Sequence, residues 1–382
     1  MKRKEDMTMK NTLILIGFII FMSGTCDYAQ PRTIRVPVDF SAIQVAIDAA
    51  EDGDEIVVSP SIYYENINFG GKNIVLRSTD PTNPNVVAKT IIDGNQNGSV
   101  VIFSGGETAD CVLSGFTVKN GNNTFGGGIA CINSSPTIQN CIITENVGGW
   151  GAGIDCGNSS ARITNCIIKE NTRTSTEPGG GIYFRSFSPI GEVPSDNPYS
   201  PIVINSIITE NTGAGIYTDN IADFPGNPLV LTVINCTITK NKWLGGIFCW
   251  TSTSLIIRNS ILWNPQAFSE IDFTYFSSPS SLTISYSNIK EGIKGIDTGE
   301  GACILDWGEG NISNDPKFVD ADNGNFHLRP DSPCIDIGCF IEGLTKDIEG
   351  NPRPSGSGFD IGAYEYIAQK TAVKPTIWIL YQ

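Results

Sequence analysis

From about residue 55 the chain alternates short apolar runs with polar, Gly-rich turns, and the alternation itself repeats. A strand ends in Asn-Cys or Asn-Ser, an Ile-rich strand follows, and a turn leads into Gly-Ile. The segments are Asn140-Cys141-Ile142-Ile143, Asn165-Cys166-Ile167-Ile168, Asn205-Ser206-Ile207-Ile208, Asn235-Cys236-Thr237-Ile238 and Asn259-Ser260-Ile261-Leu262. Their Asn positions step by 25, 40, 30 and 24 residues; the long step carries insertions around 173–178 and 187–200. A repeat of about 25 residues with three short strands is one coil of a parallel β-helix. A single coil cannot bury its own apolar face, whereas coils stacked about 4.8 Å apart share a continuous core. The Leu-x-x-Leu-x-Leu frame of leucine-rich repeats is absent.

Strand alternation assigns the side chains. Ile129, Ile154, Ile182, Ile216 and Ile247 form one inward column, and Cys131, Cys156, Phe184, Thr218 and Cys249 a second. The recurring Asn140, Asn165, Asn205, Asn235 and Asn259 fall where one strand bends into the next, where stacked amides bond along the ladder. Open solenoid ends need covers. Ser41-Ala42-Ile43-Gln44 reads as a capping box, and Ile43, Ala46, Ile47 and Ala50 share one face of a helix at about 41–51. The expected fold is thus all-β: a right-handed parallel β-helix over 31–310 with an N-terminal cap helix. An irregular C-terminal cap module and tail follow at 311–382, with one extra strand at 376–381.

Composition agrees. Charged residues make up only 17%, with 41 Gly and 21 Pro, which is poor helix material and good turn material. Residues 1–30 read as a signal peptide: Lys2, Arg3, Lys4 and Lys10 precede an apolar run, Leu13 to Met22, too short to span a bilayer. The chain is therefore expected outside the cell or on its surface, with lipoprotein anchoring at Cys26 as the lesser alternative. A net charge of −15 repels nucleic acid and polyanions, so a polyuronate needs local cations or a metal. Cysteines on neighbouring rungs read as buried thiols; Cys334 and Cys339 are close enough in sequence for a local disulfide.

The opening Phe40-Ser41-Ala42-Ile43-Gln44, Ala49-Ala50-Glu51-Asp52-Gly53-Asp54 and Tyr63-Tyr64-Glu65 resembles the start of many secreted members of the pectin-lyase-like superfamily. The ending is similar to a C-terminal module of bacterial β-helix proteins: Phe326-His327-Leu328, Ser332-Pro333-Cys334-Ile335-Asp336, Asp347, Gly350-Asn351-Pro352-Arg353-Pro354 and Asp360-Ile361-Gly362-Ala363-Tyr364-Glu365-Tyr366. The resemblance implies the fold but not an activity, because that superfamily holds lyases, hydrolases, esterases, epimerases and non-enzymes. The Gly-His-Gly of polygalacturonases, the Gln-Asp-Thr of pectin methylesterases and the Asp-Pro-His of alginate epimerases do not occur; the one histidine is His327.

The resemblance also implies that ligands lie across one exposed face of the coils. The strand beginning at each Gly-Ile turns Asp155, Tyr183 and Arg185, Tyr217 and Asp219, and Phe248 and Trp250 outward. A polysaccharide lyase needs a base, a cation on the substrate carboxylate and a donor to the leaving oxygen. Arg185 and Tyr183 are the candidates for those roles, with Asp155 and Asp219 as oxygen ligands for calcium. The competing expectation is a non-catalytic face that binds a polysaccharide or cell-surface glycan, using Trp150, Tyr217, Trp243, Phe248 and Trp250. Phe125, Trp150 and Trp243 each precede the recurring Ile by four residues and are expected along one turn edge. Asp320-Ala321-Asp322-Asn323-Gly324 reads as a turn, without the ligand spacing of an EF-hand. The chain is expected to act as a monomer.

Overall fold

The computed structural model describes residues 30–174, 179–187, 199–220, 229–273, 280–299 and 303–368. The expected leader with Cys26, the strand expected at 376–381 and most of the 187–200 insertion lie outside the described residues. Three long parallel sheets wind around one core. The first has eleven strands, from Thr33–Val36 to Cys303–Trp307. The second has nine, from Ser61–Tyr64 to Asn288–Ile289, and the third nine, from Ile67–Asn68 to Ile296–Asp297. A short three-stranded sheet, Asn122–Phe125, Val147–Trp150 and Thr172–Arg173, lines the turn before the third. Both expected inward columns hold: Ile129, Ile154, Ile182, Ile216 and Ile247 stack in register, as do Cys131, Cys156, Phe184, Thr218 and Cys249. All ten are at most 2% exposed.

The N-terminal helix runs Ile43–Ala49 and buries Ile43, Ala46 and Ile47. Its cap corrects the capping-box expectation. Ser41 makes no cap bond; the Ile43 and Gln44 amides instead donate to the two oxygens of Glu65, at 2.9 and 2.8 Å. A carboxylate from the next coil thus complements the positive helix terminus, and Gln44 is released to pair with the backbone of Asn68.

The coils bend through left-handed backbone at two places, the second at Glu145, Glu170, Glu210 and Lys240. Asn140, Asn165, Asn205, Asn235 and Asn259 have φ of 47–53° at the first bend, where a short amide side chain is best tolerated. Their expected amide ladder forms only in part. Asn165 donates to Asn140 and Asn259 to Asn235, at 3.2 and 3.3 Å. Asn205 and Asn259 also donate to the carbonyls of Lys346 and Cys339, both at 2.7 Å. These bends are where the C-terminal module docks.

The continuous ladder lies deeper, just past the second bend. Asn146, Asn171, Asn211, Asn241 and Asn264 are 0–1% exposed. From Asn146 onward each side chain donates to the next amide oxygen, at 2.9–3.3 Å, and to a carbonyl of the preceding coil. The column ends at buried Glu270, which accepts from the Asn264 amide at 2.7 Å and from its side chain at 2.6 Å. The ladder also explains the Gly of Gly-Ile. A β-carbon on Gly181 would sit 2.3 Å from the Gly215 carbonyl and 3.1 Å from the Asn211 side-chain nitrogen. Glycine lets the next coil and the ladder come close.

Residues 311–368 lie along the outer face of the second sheet. That face presents Ile167, Ile207 and Ile261, which the paired isoleucines of the repeat put on the wrong side for the core. Phe326, Ala363 and Tyr364 cover Ile207; Leu328, Cys334 and Ile361 cover Ile261. The ending residues build this module. Buried Arg353 pairs with Glu365 at 2.9 Å and donates to the carbonyls of Asp360 and Gly362. Asp347 accepts the amides of Glu349, Asn351 and Glu365. His327 stacks on Tyr364, with ring centroids 4.0 Å apart. Asp320 ties its turn to Asn323. The local disulfide open to Cys334 and Cys339 does not form: buried Cys334 meets the Asn288 side chain, Cys339 meets Asn259, and all ten described cysteines are free.

Candidate functional site

Asp155, Tyr183, Tyr217 and Phe248 lie in register on the outer face of the third sheet; Gly157, Arg185 and Asp219 form the neighbouring row. The expected residues therefore converge, but the face is not open. Asp155 is 0%, Tyr183 and Tyr217 1%, Phe248 3% and Asp219 7% exposed. Aromatic rings repeating at rung spacing pack on one another instead of facing water. Trp150, Tyr183, Tyr217, Phe248 and Trp250 form a continuous spine, with successive centroids 5.2, 5.0, 5.6 and 6.1 Å apart. Leu244 and Ala214 pack against it.

The charged groups satisfy one another. Arg185 bonds Asp155 through Nε and Nη2, both at 3.0 Å. Gly157 makes the geometry possible, since a β-carbon there would come 3.2 Å from the guanidinium carbon. The guanidinium also lies over the rings of Phe125 at 4.5 Å and Phe187 at 4.8 Å. Burial disfavours the Arg185 cation, but Asp155 more than offsets this and raises its pKa. Burial, reinforced by Asp219, pushes the Tyr183 phenol up, and its hydroxyl donates to Asp219 at 3.3 Å. Thr251 donates to the other Asp219 oxygen at 3.0 Å. Both carboxylates proposed as calcium ligands thus already hold protein partners. No group of three or more metal-ligating side chains gathers among the described residues.

The turn edge divides. Phe125 and Trp150 are in register, Phe125 being 39% exposed. Trp243 stands apart: it is 66% exposed, has φ of 72° and carries the Arg173 guanidinium 5.0 Å over its ring. An indole held in left-handed backbone at the surface is a costly arrangement of the kind that gathers at functional sites. Sequence reasoning missed Phe187, Arg173 and the buried Asn column. The last was visible as a second Asn five or six residues after each bend Asn.

Stacked coils, inward isoleucine columns and a side-chain amide ladder define a parallel β-helix protein. The chain belongs to the family described as right handed beta helix region, whose model matches residues 61–262, more than half of the chain. It is also similar to a cell surface glycoprotein of Methanothermus fervidus, 28% identical over 142 residues, or 36% of this chain and 21% of that one. The chain thus spans about a fifth of the length of that curated relative. Among solved structures it is similar to pectate lyase Pel9A, at 15% identity over 87% of this chain and 96% of that one, with a TM-score of 0.42. No helix among the described residues is long and apolar enough to cross a membrane.

Proposed function

We propose that this protein is an extracellular or cell-surface β-helix module that binds glycan at the edge of its third sheet and does not cleave it. The observation that carries this reading is the division of the aromatic face. Its centre is packed and dry, while Phe125 and Trp243 reach solvent at its rim. Large rigid rings at a rim suit the apolar faces of sugars, and Trp150 and Trp250 extend the platform inward. The similarity to a cell surface glycoprotein supports the location.

The lyase alternative asks more of the same residues. A base on this face has to be free to take a proton, yet Arg185 is held charged by Asp155 and Tyr183 is driven away from ionisation. Calcium on Asp155 and Asp219 would have to displace Arg185, Thr251 and Tyr183.

The test is a polysaccharide panel with calcium present, followed by calorimetric binding, ultraviolet absorbance of unsaturated uronates and new reducing ends. Binding that Trp243→Ala weakens, without absorbance or new ends, is the expected result. Rising absorbance that Arg185→Ala abolishes would replace this reading with the lyase.

A further inference from the structure

On the far side of the turn edge, a cleft of about 910 Å³ separates the second sheet from the C-terminal module. Lys242 lines it, whereas its neighbour Trp243, which carries Arg173 over its ring, does not. One wall is built by successive coils, through Glu170, Glu210, Lys240 and Trp263. Four coils give a run of about 14 Å at the rung spacing. The opposite wall is the module segment from Asp315 to Asp322, with Arg329. Lys240 fastens the two walls together, bonding Glu210 at 2.7 Å and the Ala321 carbonyl at 2.9 Å.

We infer that this cleft is a second glycan site, one that takes an uncharged oligosaccharide. Three features carry the inference. The cleft is elongated and near the upper end of ordinary ligand-site volumes, roughly 300–1,000 Å³, so it fits several sugar units better than one. Its surface combines half-buried rings, Trp263 and Phe318, with carboxylate, ammonium and hydroxyl groups. That mixture matches a pyranose, which has apolar faces and a hydroxyl rim.

Its charge decides the class of sugar. Five carboxylates and four cations line the cleft, so it offers a polyanion no net attraction, and the whole chain at −15 repels one. The groups left for a ligand offer an anion no net attraction either. Lys317 is bound to Asp331 at 2.7 Å, whereas two cations, Lys242 and Arg329, and three carboxylates, Asp315, Asp320 and Asp322, form no salt bridge among the described residues.

The inference rests on glycan binding as the protein's business but uses none of the rim residues, so each site can fail alone. The probes are cellohexaose, xylohexaose, mannohexaose and a galacturonic acid hexamer, titrated calorimetrically into the full chain. At least one neutral hexamer is expected to bind more tightly than the acidic one. Trp263→Ala and Asp322→Asn are each expected to weaken that binding about tenfold or more, equivalent to about 1.4 kcal/mol. Trp263→Phe, which keeps an aromatic wall, is expected to leave it within a few-fold. Asp322 is exposed, so its variant tests the cleft even if Trp263→Ala unfolds. Wild-type affinity in Asp322→Asn together with loss in Trp243→Ala would overturn the cleft and leave the rim site standing. Preference for the acidic hexamer, or no binding by any neutral one, would overturn it outright.

Discussion

Arg185 and Asp155 sit on adjacent coils and meet through two parallel hydrogen bonds of 3.0 Å, with 14% and 0% of their side chains exposed. A pair this deep is stable only as a pair. Asp155→Ala leaves a buried guanidinium without its counter-charge and is expected to cost about 3–5 kcal/mol. An apolar double replacement, Asp155→Leu with Arg185→Met, is expected to recover most of that loss. Urea unfolding of the three chains measures it. A double variant as unstable as the single one would mean that the spine, not the ion pair, sets the cost.

The Asn column ends on an acceptor, and that polarity matters. Glu270 receives two N–H groups from Asn264, one on each oxygen. Glu270→Gln keeps the shape but turns an amide NH2 towards one of those donors. Each buried group so orphaned costs about 1–3 kcal/mol. The expected result is a clear fall in the urea midpoint, larger than for the bend variant Asn140→Gly, which suits left-handed backbone. Equal midpoints would show that the column does not depend on its terminus.

Much of this architecture is legible in the chain. Period, inward columns and helix face follow from alternation and from Asn-Cys-Ile-Ile spacing. What alternation cannot tell is whether an outward residue is wet. Ile207 and Tyr183 both point away from the core, yet one lies under the C-terminal module and the other inside an aromatic spine. Burial on an outer face depends on segments far away in sequence. The same holds for Glu65, which caps a helix 22 residues earlier. No local motif signals that bond.

Asp360 gives a pH dependence. Burial pushes its carboxyl up to about 6, against the pull of the Tyr366 and Asp336 amides. In the unfolded chain it titrates near 3.9, so the folded state holds the proton more tightly. Between roughly pH 4 and 6 this group therefore adds stability as pH falls, and above 6 its ionisation opposes the fold. The difference in unfolding free energy between the wild type and Asp360→Asn, measured from pH 4 to 8, is expected to change mainly in that window. A difference independent of pH would place the ionisation elsewhere.

The thiols form a reactivity map. Burial pushes Cys111, Cys236, Cys249 and Cys334 up to about 12, so they stay protonated and shielded at pH 8. Cys339 is the half-exposed one. In a Cys26→Ser background, a thiol reagent at pH 8 is expected to modify Cys339 quickly in the native protein and the other described cysteines only after unfolding. Several fast native thiols would mean that the coils open readily.

A stack of coils is ordinarily a one-dimensional object, in which each repeat knows only its neighbours and can fray from either end. Here the bond between Asn205 and the Lys346 carbonyl joins residues 141 positions apart, and the one between Asn259 and the Cys339 carbonyl joins residues 80 apart. These late contacts work like a splint laid across several vertebrae. They also order events in time. Coils can assemble as the chain emerges, but the flank carrying Ile167, Ile207 and Ile261 stays wet until residues 311–368 arrive. Folding of these coils is therefore completed only when that segment arrives, and a chain cut short before it would be left with a long, sticky, uncovered side.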